Sequence, residues 1–434
     1  MIRRRLAMMV SAILSLTGVA HAATAPVQPK LPVTDSAGFA SERLKQFELL
    51  MKREIDNGEI AGSVILLVRH SQTELFQSHG RRDLEQGESM TPDTIFRIRS
   101  ETKPLTGLAM MMLFEKGLWA LDDPVTKFVP EFAALRTIRS VDADGRPVME
   151  PLTRPPTMRE LMTHSAGFAY GLAADGVADT AYLTAGVLTS ASGQEMIDKI
   201  AALPMANQPG TRWRYSAAAD IHGAIIERLS GRPLGRFMEE QIFTPLGMVD
   251  TAFHVPSAKI GRLAALYDQD PTTRKLVRQP ERGGVDITQP PPFPSGGGGL
   301  FSTARDYGRF CQMILNGGIL NGVRLLKPET VALMRQNQLP ESFMVTSNGT
   351  RASPLGAGVG FGLGWAVWMD PSASGSPVGA GTMSWGGGAG TWFWIDPKND
   401  LYFVGMIQRL GGTGGGLDAA ARALTYQALA EPSK

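Results

Sequence analysis

The sequence predicts an α+β fold, in which an antiparallel sheet is flanked by helices and a mainly helical lobe is inserted into the chain. Strand-like apolar runs occur near both ends of the 434 residues, helical patterns flank them, and the middle shows short helical patterns broken by proline and glycine. A chain of this length can form two packed lobes. We therefore expect an α/β sandwich lobe from residues 35–124 and 291–430, and a helical lobe from residues 125–290.

The elements of the first segment are a helix and two strands. A helix is expected from Ser41 to Asn57-Gly58, because apolar residues recur at intervals of three and four: Leu44, Phe47, Met51 and Ile55. The apolar run Gly62–Arg69 has the length of a strand, and a polar turn separates it from a second strand around Leu75-Phe76. A helix followed by an antiparallel pair is typical of a sandwich whose sheet is buried on both faces.

The stretch Phe96–Gly107 carries the strongest chemical signal. Ser100 follows an apolar approach and precedes a predicted buried helix, and it is the only serine with a lysine, Lys103, three residues later. Residues three apart lie on one helical face, so the hydroxyl and the amine are expected to touch. Taken alone, the pattern arises about once by chance in a chain this long and also fits an exposed capping serine with a solvated lysine.

The middle of the chain shows no convincing strand. Within it, Arg159–Gly167 is expected to form a helix that ends at Gly167. Asp268–Pro294 is rich in proline and charge, which favours a long surface loop that walls a pocket. Sheet character then returns, and a last helix follows it: strands over 361–368, 391–395 and 401–407, and a helix with Leu417, Ala421, Leu424 and Ala428 on one face.

The first 22 residues have the pattern of a signal peptide. Three arginines, Arg3 to Arg5, precede the apolar run Leu6–Val19 and the small-residue site Ala20-His21-Ala22. We expect cleavage near Ala22 and a periplasmic or secreted protein, with a retained membrane anchor as the alternative. The apolar run is short for a membrane span and no later stretch offers another, so no stable membrane association is expected.

Charge and cysteine content bear on partners. The chain has 43 basic and 41 acidic residues, and removing three arginines leaves 40 against 41, a net charge near −1. Such a chain lacks the excess positive charge that favours binding to nucleic acid. Cys311 is the single cysteine, lies in an apolar helical pattern, and is expected to fill space in the core. The sequence does not predict an oligomeric state.

Two further motifs could complete a site around Ser100. Tyr215 stands between a predicted turn and a predicted helix, where a side chain can point into a cleft; a half-buried tyrosine with a satisfied hydroxyl is the alternative. The stretch Ser384–Gly390 is rich in glycine, which fits close approach by a ligand or, alternatively, a bulge. The backbone N–H groups of Gly388 and Ser100 could then hold the oxyanion of a tetrahedral intermediate.

The residues Ser100-x-x-Lys103, Tyr215-Ser216 and Trp385-Gly386-Gly387, in this order, resemble the serine hydrolases of the penicillin-recognising, class C β-lactamase-like superfamily. They are most similar to the family VIII carboxylesterases. The resemblance covers nearly all of the chain after the signal peptide and implies a β-lactamase-like fold. It implies Ser100 as the acylated nucleophile, Lys103 and Tyr215 as proton-transfer groups, and the Ser100 and Gly388 N–H groups as the oxyanion hole.

Two departures from the β-lactamase pattern bear on the substrate. Trp385-Gly386-Gly387 stands in place of Lys-Thr-Gly, so a cation and a hydroxyl suited to a substrate carboxylate are missing. Ala217 stands in place of the asparagine of Tyr-x-Asn, so an amide is missing as well. We therefore expect Trp385, Gly386, Gly387 and Ala217 to bind small, largely uncharged esters. Family precedent allows weak β-lactam hydrolysis as a side activity of such a serine carboxylesterase.

Other chemistries have less support. No metal or cofactor is expected, since no H-E-x-x-H or comparable cluster occurs, and no G-x-S-x-G suggests a nucleophile elbow. His164 is expected to be satisfied by backbone carbonyls near a helix end. Three alternatives stay open: amide hydrolysis, as by a β-lactamase or D-amino-acid peptidase; acyl transfer; and a non-catalytic periplasmic binding module.

Overall fold

A computed structural model describes residues 38–281, 285–344, 353–412 and 416–429. The predicted signal peptide lies outside these residues. The strands, in chain order, are β1 (Gly62–Arg69), β2 (Gln72–Asp83), β3 (Glu88–Ser89), β4 (Phe96–Arg97), β5 (Arg136–Val141), β6 (Pro147–Pro151), β7 (Tyr267–Gln269), β8 (Leu276–Arg278), β9 (Phe301–Ser302), β10 (Ile319–Leu320), β11 (Val323–Arg324), β12 (Val359–Phe361), β13 (Ala366–Trp368), β14 (Thr382–Gly387), β15 (Thr391–Asp396) and β16 (Leu401–Met406).

The α-helices lie between and around these strands. They are α1 (Ser41–Leu44), α2 (Gln46–Asp56), α3 (Thr102–Glu115), α4 (Met158–Met162), α5 (Val177–Thr184), α6 (Gly193–Ala201), α7 (Ala218–Ser230), α8 (Leu234–Met238), α9 (Thr244–Leu246), α10 (Ala304–Leu315), α11 (Pro328–Met334) and α12 (Leu417–Ala428). None of the helices in this part of the chain is both long and apolar enough to span a membrane.

Eight strands form one antiparallel sheet in the order β12-β13-β14-β15-β16-β1-β2-β3. The amino-terminal strand β1 therefore lies between its sequence neighbour β2 and the last strand, β16, with Leu66 opposite Val404 in the second pair. The predicted α+β fold, with an antiparallel sheet flanked by helices, is confirmed. The strands predicted at 391–395 and 401–407 are β15 and β16.

The sheet is buried on both faces because helices cover each of them. Alternate residues of β1, such as Leu66 and Leu67, point into different hydrophobic clusters. Leu66 packs in the larger cluster with helices α3 and α10, and Leu67 packs in a smaller one with helices α2 and α12. Burial on both faces explains why β1 is a continuous apolar run instead of an alternating one. Cys311 is fully buried in the larger cluster, as predicted.

The inserted segment contains two antiparallel ribbons, β5–β6 and β7–β8. The expectation that residues 125–290 contain no strand is therefore wrong. Both ribbons are short, and only Thr137 and Tyr267 of their strands are buried, so the strands lack the regular apolar alternation by which strands are recognised. Helices of this segment, with Ile138 of β5, share the larger hydrophobic cluster with the sheet. The boundaries of the two predicted lobes stay a prediction.

The helix predicted over Arg159–Gly167 is shorter than expected. Helix α4 begins after a Thr157 capping box with Glu160 and ends at Met162. His164 has a backbone φ of 57°, in the left-handed region, so the chain leaves the helix before the predicted stop at Gly167. This early exit directs residues 164–171 toward the site described below.

The proline-rich segment predicted as a loop, Asp268–Pro294, contains the ribbon β7–β8 as well as irregular chain. Its prolines Pro290 to Pro292 line a cavity of about 980 Å³ together with Phe243 and Met248. None of the predicted site residues lines this cavity. The segment therefore walls a pocket, as predicted, but that pocket is separate from Ser100.

His222 on α7 makes stability sensitive to acid. Burial lowers its pKa from 6.5 to about 3, so the folded protein keeps the imidazole neutral. Below pH 6.5 the unfolded chain binds a proton that the folded protein does not, and stability therefore falls as the pH falls from 6.5 toward 3. Between pH 7 and pH 4.5, His222 lowers the free energy of unfolding by about 3 kcal/mol.

We expect His222→Gln to reduce the difference in unfolding free energy between pH 7 and pH 4.5 by that amount. Urea unfolding of both proteins at the two pH values measures it. An unchanged difference in the variant would show that His222 does not carry this acid sensitivity.

Candidate active site

Ser100 lies at the start of helix α3, in a 3-10 turn (Arg99–Glu101) that is fixed on two sides. The backbone N–H of Ile98 donates to the Leu300 carbonyl (3.1 Å), beside the β4–β9 pair, and the Ile98 carbonyl accepts from Thr391 Oγ1 at 3.3 Å. Arg99 has a φ of 44°, a conformation that a non-glycine residue holds only when its surroundings impose it. The half-buried Ser100 is thereby presented at a rigid position.

Lys103 lies one turn further along α3 and contacts Ser100, as the spacing predicts. Its Nζ is 3.4 Å from Ser100 Oγ, 2.7 Å from the Gly297 carbonyl oxygen and 2.8 Å from the Tyr170 hydroxyl. The side chain is almost fully buried. An ammonium group has three N–H donors, and these three oxygens accept all of them.

The same three contacts suit a neutral amine. Two N–H groups of Lys103 would still donate to Gly297 and Tyr170, and the lone pair would point to Ser100. A lone pair directed at the Ser100 hydroxyl can remove its proton, which a serine needs to become a useful nucleophile. The geometry therefore allows Lys103 to cycle between proton acceptor and proton donor without moving.

Tyr170 was not predicted from the sequence. It lies in the irregular segment between α4 and α5, where the Asp179 carboxylate accepts the backbone N–H groups of Tyr170 (2.9 Å) and Gly171 (3.1 Å). Burial, with the charge of Asp220 as a smaller cause, raises the pKa of Tyr170 well above its usual value, so its hydroxyl keeps its proton. Nearby glycines indicate a loop here, but no motif marks the tyrosine.

Tyr215 lies on the loop before α7, as predicted, and approaches Lys103 with its ring. The Lys103 Nζ is 4.5 Å from the centre of the Tyr215 ring and 4.9 Å from that of Tyr170. The Tyr215 hydroxyl is buried and has no hydrogen-bond partner among the described residues. The structure therefore brings Tyr215 to Lys103 but gives the hydrogen bond to Tyr170 instead.

Two carboxyl groups, of Glu101 and Asp220, are fully buried in this region, and the Asp220 carboxylate interacts with Lys103. Burial raises the pKa of Glu101 well above its usual value, so that carboxyl is held neutral. Burial also raises the pKa of Asp220, although hydrogen bonds from Ser295 and the charge of Lys103 oppose the rise. Asp220 Oδ1 accepts from Ser295 Oγ (2.5 Å) and from the Gly297 N–H (3.1 Å). Asp220 thus holds the backbone of the residue whose carbonyl binds Lys103.

Gly297 has no room for a side chain. A Cβ at this position would lie 2.4 Å from Asp220 Oδ2 and 2.7 Å from the Tyr170 hydroxyl. We expect Gly297→Ala to displace both partners and to lower kcat/KM about 100-fold, because a shift near 1 Å in a catalytic group has an effect of this size. Steady-state kinetics of the variant and the parent protein measure it.

The adjacent Gly298 provides the control. A Cβ there would lie 3.8 Å from its nearest neighbours, the backbone of Arg99, which is an ordinary contact. Gly298→Ala should therefore stay within about threefold of the parent protein. Equal losses in the two variants would contradict the role given to Gly297.

The glycine-rich stretch forms the end of β14 and the turn after it. A Cβ on Gly387 would lie 2.3 Å from the Ile98 carbonyl and 2.5 Å from Thr391 Oγ1, so this glycine permits close approach by the chain's own backbone. At Gly388 a Cβ would meet nothing within 4 Å, and the residue is exposed. Close approach by a ligand, the reason predicted for these glycines, is therefore open at Gly388 but not at Gly387.

Aromatic rings form one side of the site. The half-buried Trp385 lies 5.7 Å from the Tyr215 ring and 5.4 Å, edge to face, from the Phe361 ring. Gly386 is exposed beside Trp385, whereas Ala217 is fully buried and its N–H donates to the Ala169 carbonyl. Ala217 therefore supports the site from behind, and the exposed edge is formed by Trp385 and Gly386.

The His164 side chain does not bind backbone carbonyls, so that expectation is wrong. Its imidazole Nδ1 contacts Ser216 Oγ at 3.0 Å and the Ser216 N–H at 3.3 Å, instead of backbone carbonyls. Burial, with the charge of Lys103 as a smaller cause, lowers its pKa well below the usual value, so the ring is neutral.

In the part of the chain that the structure describes, no group of three or more histidine, cysteine, aspartate or glutamate side chains could hold a metal ion.

Comparison with known proteins agrees with this geometry. The beta-lactamase family model matches residues 47–427. Esterase EstB of Burkholderia gladioli is 34% identical over 388 residues, which are 85% of this chain and 90% of EstB. The lovastatin esterase of Penicillium rubens is 31% identical over 371 residues, 82% of this chain and 90% of that protein.

A solved structure is similar over the same extent. The structure described as EstCE1, a hydrolase with promiscuous acyltransferase activity, superimposes with a TM-score of 0.74 at 28% sequence identity. The match covers 89% of this chain and 99% of that one. The match confirms the predicted fold.

Proposed function

Because this chain belongs to the beta-lactamase family, and the relatives described above are two esterases and a hydrolase, we propose that it is an exported serine carboxylesterase that acts on small, largely uncharged esters. The observation that carries the proposal is the contact of Lys103 Nζ with Ser100 Oγ inside a buried network. Within the family, the proposal places the chain with the family VIII carboxylesterases.

The proposed reaction has two half-reactions. Lys103, as the neutral amine, accepts the Ser100 proton while Oγ attacks the ester carbonyl, and the backbone N–H groups of Ser100 and Gly388 stabilise the oxyanion. The proton then passes to the leaving alcohol, which leaves an acyl group on Ser100. A water molecule gives a proton to Lys103 and attacks the acyl carbon; the bond to Ser100 Oγ then breaks, Oγ receives that proton from Lys103, and the acid is released. Tyr170 and Tyr215 border the proton path at Lys103.

The aromatic side of the site supports an uncharged substrate. Trp385 packs between Tyr215 and Phe361, where a substrate meets ring surfaces. A substrate carboxylate would find an indole at the position where the β-lactamase pattern has a lysine, and so would lose water without gaining a cation. Weak β-lactam hydrolysis as a side activity is part of the proposal, with amide hydrolysis as the main competing function.

Acyl transfer is a second candidate, and a specific observation favours it. EstCE1 is described as a hydrolase with promiscuous acyltransferase activity. Water and a second alcohol compete for the same acyl-enzyme, so one site can perform both reactions. The ratio of transfer product to free acid, measured as an added alcohol is raised, separates them.

We also propose that the protein is exported after removal of a signal peptide. The arginines at 3–5, the apolar run and the small residues before Ala23 support a leader that is removed. Amino-terminal sequencing of the protein from the periplasmic or culture fraction tests this; an intact leader on membrane-bound protein would favour a retained anchor.

The central experiment measures turnover and labelling together. Purified protein is assayed with p-nitrophenyl acetate, butyrate and octanoate, and in parallel with nitrocefin and a D-Ala-D-Ala peptide. We expect the short acyl esters to give the highest kcat/KM, and a phosphonate inhibitor to add the mass of one phosphonyl group per chain, on the peptide that contains Ser100. Strong preference for nitrocefin or the peptide would favour an amide hydrolase. Absence of ester turnover by folded, ligand-binding protein would favour a non-catalytic module.

A further inference from the structure

We infer that His164 is a positioning residue that holds the ring of Tyr215 against Lys103. The inference rests on the proposed function, since the positioned ring borders the proton path from Ser100. The starting observation is that the buried Tyr215 hydroxyl has no hydrogen-bond partner among the described residues. No polar contact at its tip fixes this side chain, so the orientation of the ring depends on its backbone and on the rings around it.

His164 binds the backbone on both sides of Tyr215. Its carbonyl accepts the N–H of Arg214 at 2.9 Å, and its Nδ1 accepts the N–H of Ser216 at 3.3 Å. Ser216 Oγ lies 3.0 Å from the same nitrogen. Because a backbone N–H can only donate, Nδ1 carries the lone pair, and the proton of the neutral ring is on Nε2. One residue thus spans three consecutive positions of the loop.

The imidazole also contacts the Tyr215 ring directly. The ring centres are 5.1 Å apart, and the same imidazole lies 5.6 Å from Phe361 and 6.1 Å from Trp213. The Tyr215 ring centre is also 4.5 Å from Lys103 Nζ, and the ring packs against those of Tyr170 (5.2 Å) and Trp385 (5.7 Å). Because His164 contacts the Tyr215 ring and also binds the backbone on both sides of it, we expect loss of the imidazole to weaken the positioning of this ring beside the amine.

The backbone at His164 supports a positioning role. A φ of 57° in a buried, non-glycine residue is a strained conformation, and Asn and Gly adopt this region more readily. Gly would remove the acceptor and the ring, whereas Asn would keep an acceptor at the position of Nδ1. Both substitutions suit the backbone conformation, so a difference between them reports the effect of the hydrogen-bond acceptor alone.

The groups that face the His164 imidazole keep it neutral and therefore able to accept a hydrogen bond. Burial, the charge of Lys103 and the neighbouring His222 lower the pKa of His164. A protonated ring would lose the lone pair that binds Ser216, so the neutral form is the one that the proposed contact requires. His222 is a buried imidazole with no hydrogen bond to residues 214–216 among the described contacts, which makes it a matched control.

The test compares His164→Leu, His164→Asn and His222→Gln in the full chain, with p-nitrophenyl butyrate. We expect His164→Leu to lower kcat 10- to 100-fold with KM within threefold, His164→Asn to recover to within about fivefold of the parent protein, and His222→Gln to stay within twofold. Thermal melting of each variant separates these effects from loss of folding. If His164→Leu does not fold, His164→Gly replaces it, since Gly suits the backbone and lacks the acceptor.

A second measurement does not depend on activity. The chain has seven tyrosines, and with ring ¹³C-labelled tyrosine the Tyr215 signal is assigned by its loss in Tyr215→Phe. We expect this signal to be shifted or broadened in His164→Leu and close to the parent position in His164→Asn. An unchanged signal together with unchanged kcat in His164→Leu, or equal behaviour of the Asn and Leu variants, would overturn the inference. An inactive parent protein would instead overturn the proposed function, while the signal still reports on His164.

Discussion

Ser100→Ala is expected to lower kcat/KM for p-nitrophenyl butyrate by at least about 10⁴, because no other atom of the site can form the acyl bond. Lys103 keeps its contacts with Tyr170 and Gly297 in this variant, so the network that surrounds the missing hydroxyl is retained. The melting temperature should therefore change little. Steady-state kinetics, with intact mass after phosphonate treatment, measure the effect.

The control for Ser100→Ala is a serine outside the site. Ser71 is exposed in the turn between β1 and β2, and Ser71→Ala should keep both turnover and labelling. More than a tenth of the parent activity in Ser100→Ala, after exclusion of a contaminating esterase, would disprove the acyl-enzyme at Ser100.

Lys103→Met is expected to lower kcat about 10³-fold, a typical effect of removing a general base. Methionine keeps much of the buried length of the lysine but cannot accept a proton. Lys103→Arg is expected to be similarly inactive, although it keeps the positive charge, because a guanidinium does not lose its proton in proteins. The pair therefore distinguishes proton transfer from simple electrostatic stabilisation. Initial rates across pH, together with the phosphonylation rate of Ser100, measure both variants.

The control lysine directly follows the same helix. Lys116, at the carboxyl end of α3, is exposed, and Lys116→Met should keep the parent rate. Near-parent activity in Lys103→Arg would show that the charge matters and that another group, such as Tyr215, accepts the proton.

The parts of the site that were predictable are local in sequence. Ser100 and Lys103 are three residues apart on a helix, so the helical period alone brings them together. Strands β1, β15 and β16 were predictable because their burial gives continuous apolar runs. In each case the interactions that shape the element leave a pattern within the element itself.

The parts that were missed depend on contacts across the fold. Tyr170 reaches Lys103 from 67 positions away, along an irregular segment whose course follows from the left-handed backbone at His164. Asp220 looks like an ordinary acidic residue in the first turn of a helix, and only the fold shows that it binds the Gly297 backbone. The two ribbons of the inserted segment were missed because exposed strands need no apolar alternation.

The pairing of β1 with β16 has a consequence for synthesis. The ribosome releases the chain from its amino end, and the strand that covers one edge of β1 is made more than 300 residues later. Until then the eight residues of β1, all buried in the finished protein, have no permanent partner on that edge. Contacts this distant in sequence form slowly, and unpaired apolar strands aggregate readily. We therefore expect β1 to be prone to aggregation during synthesis until β16 has been made and the sheet can close.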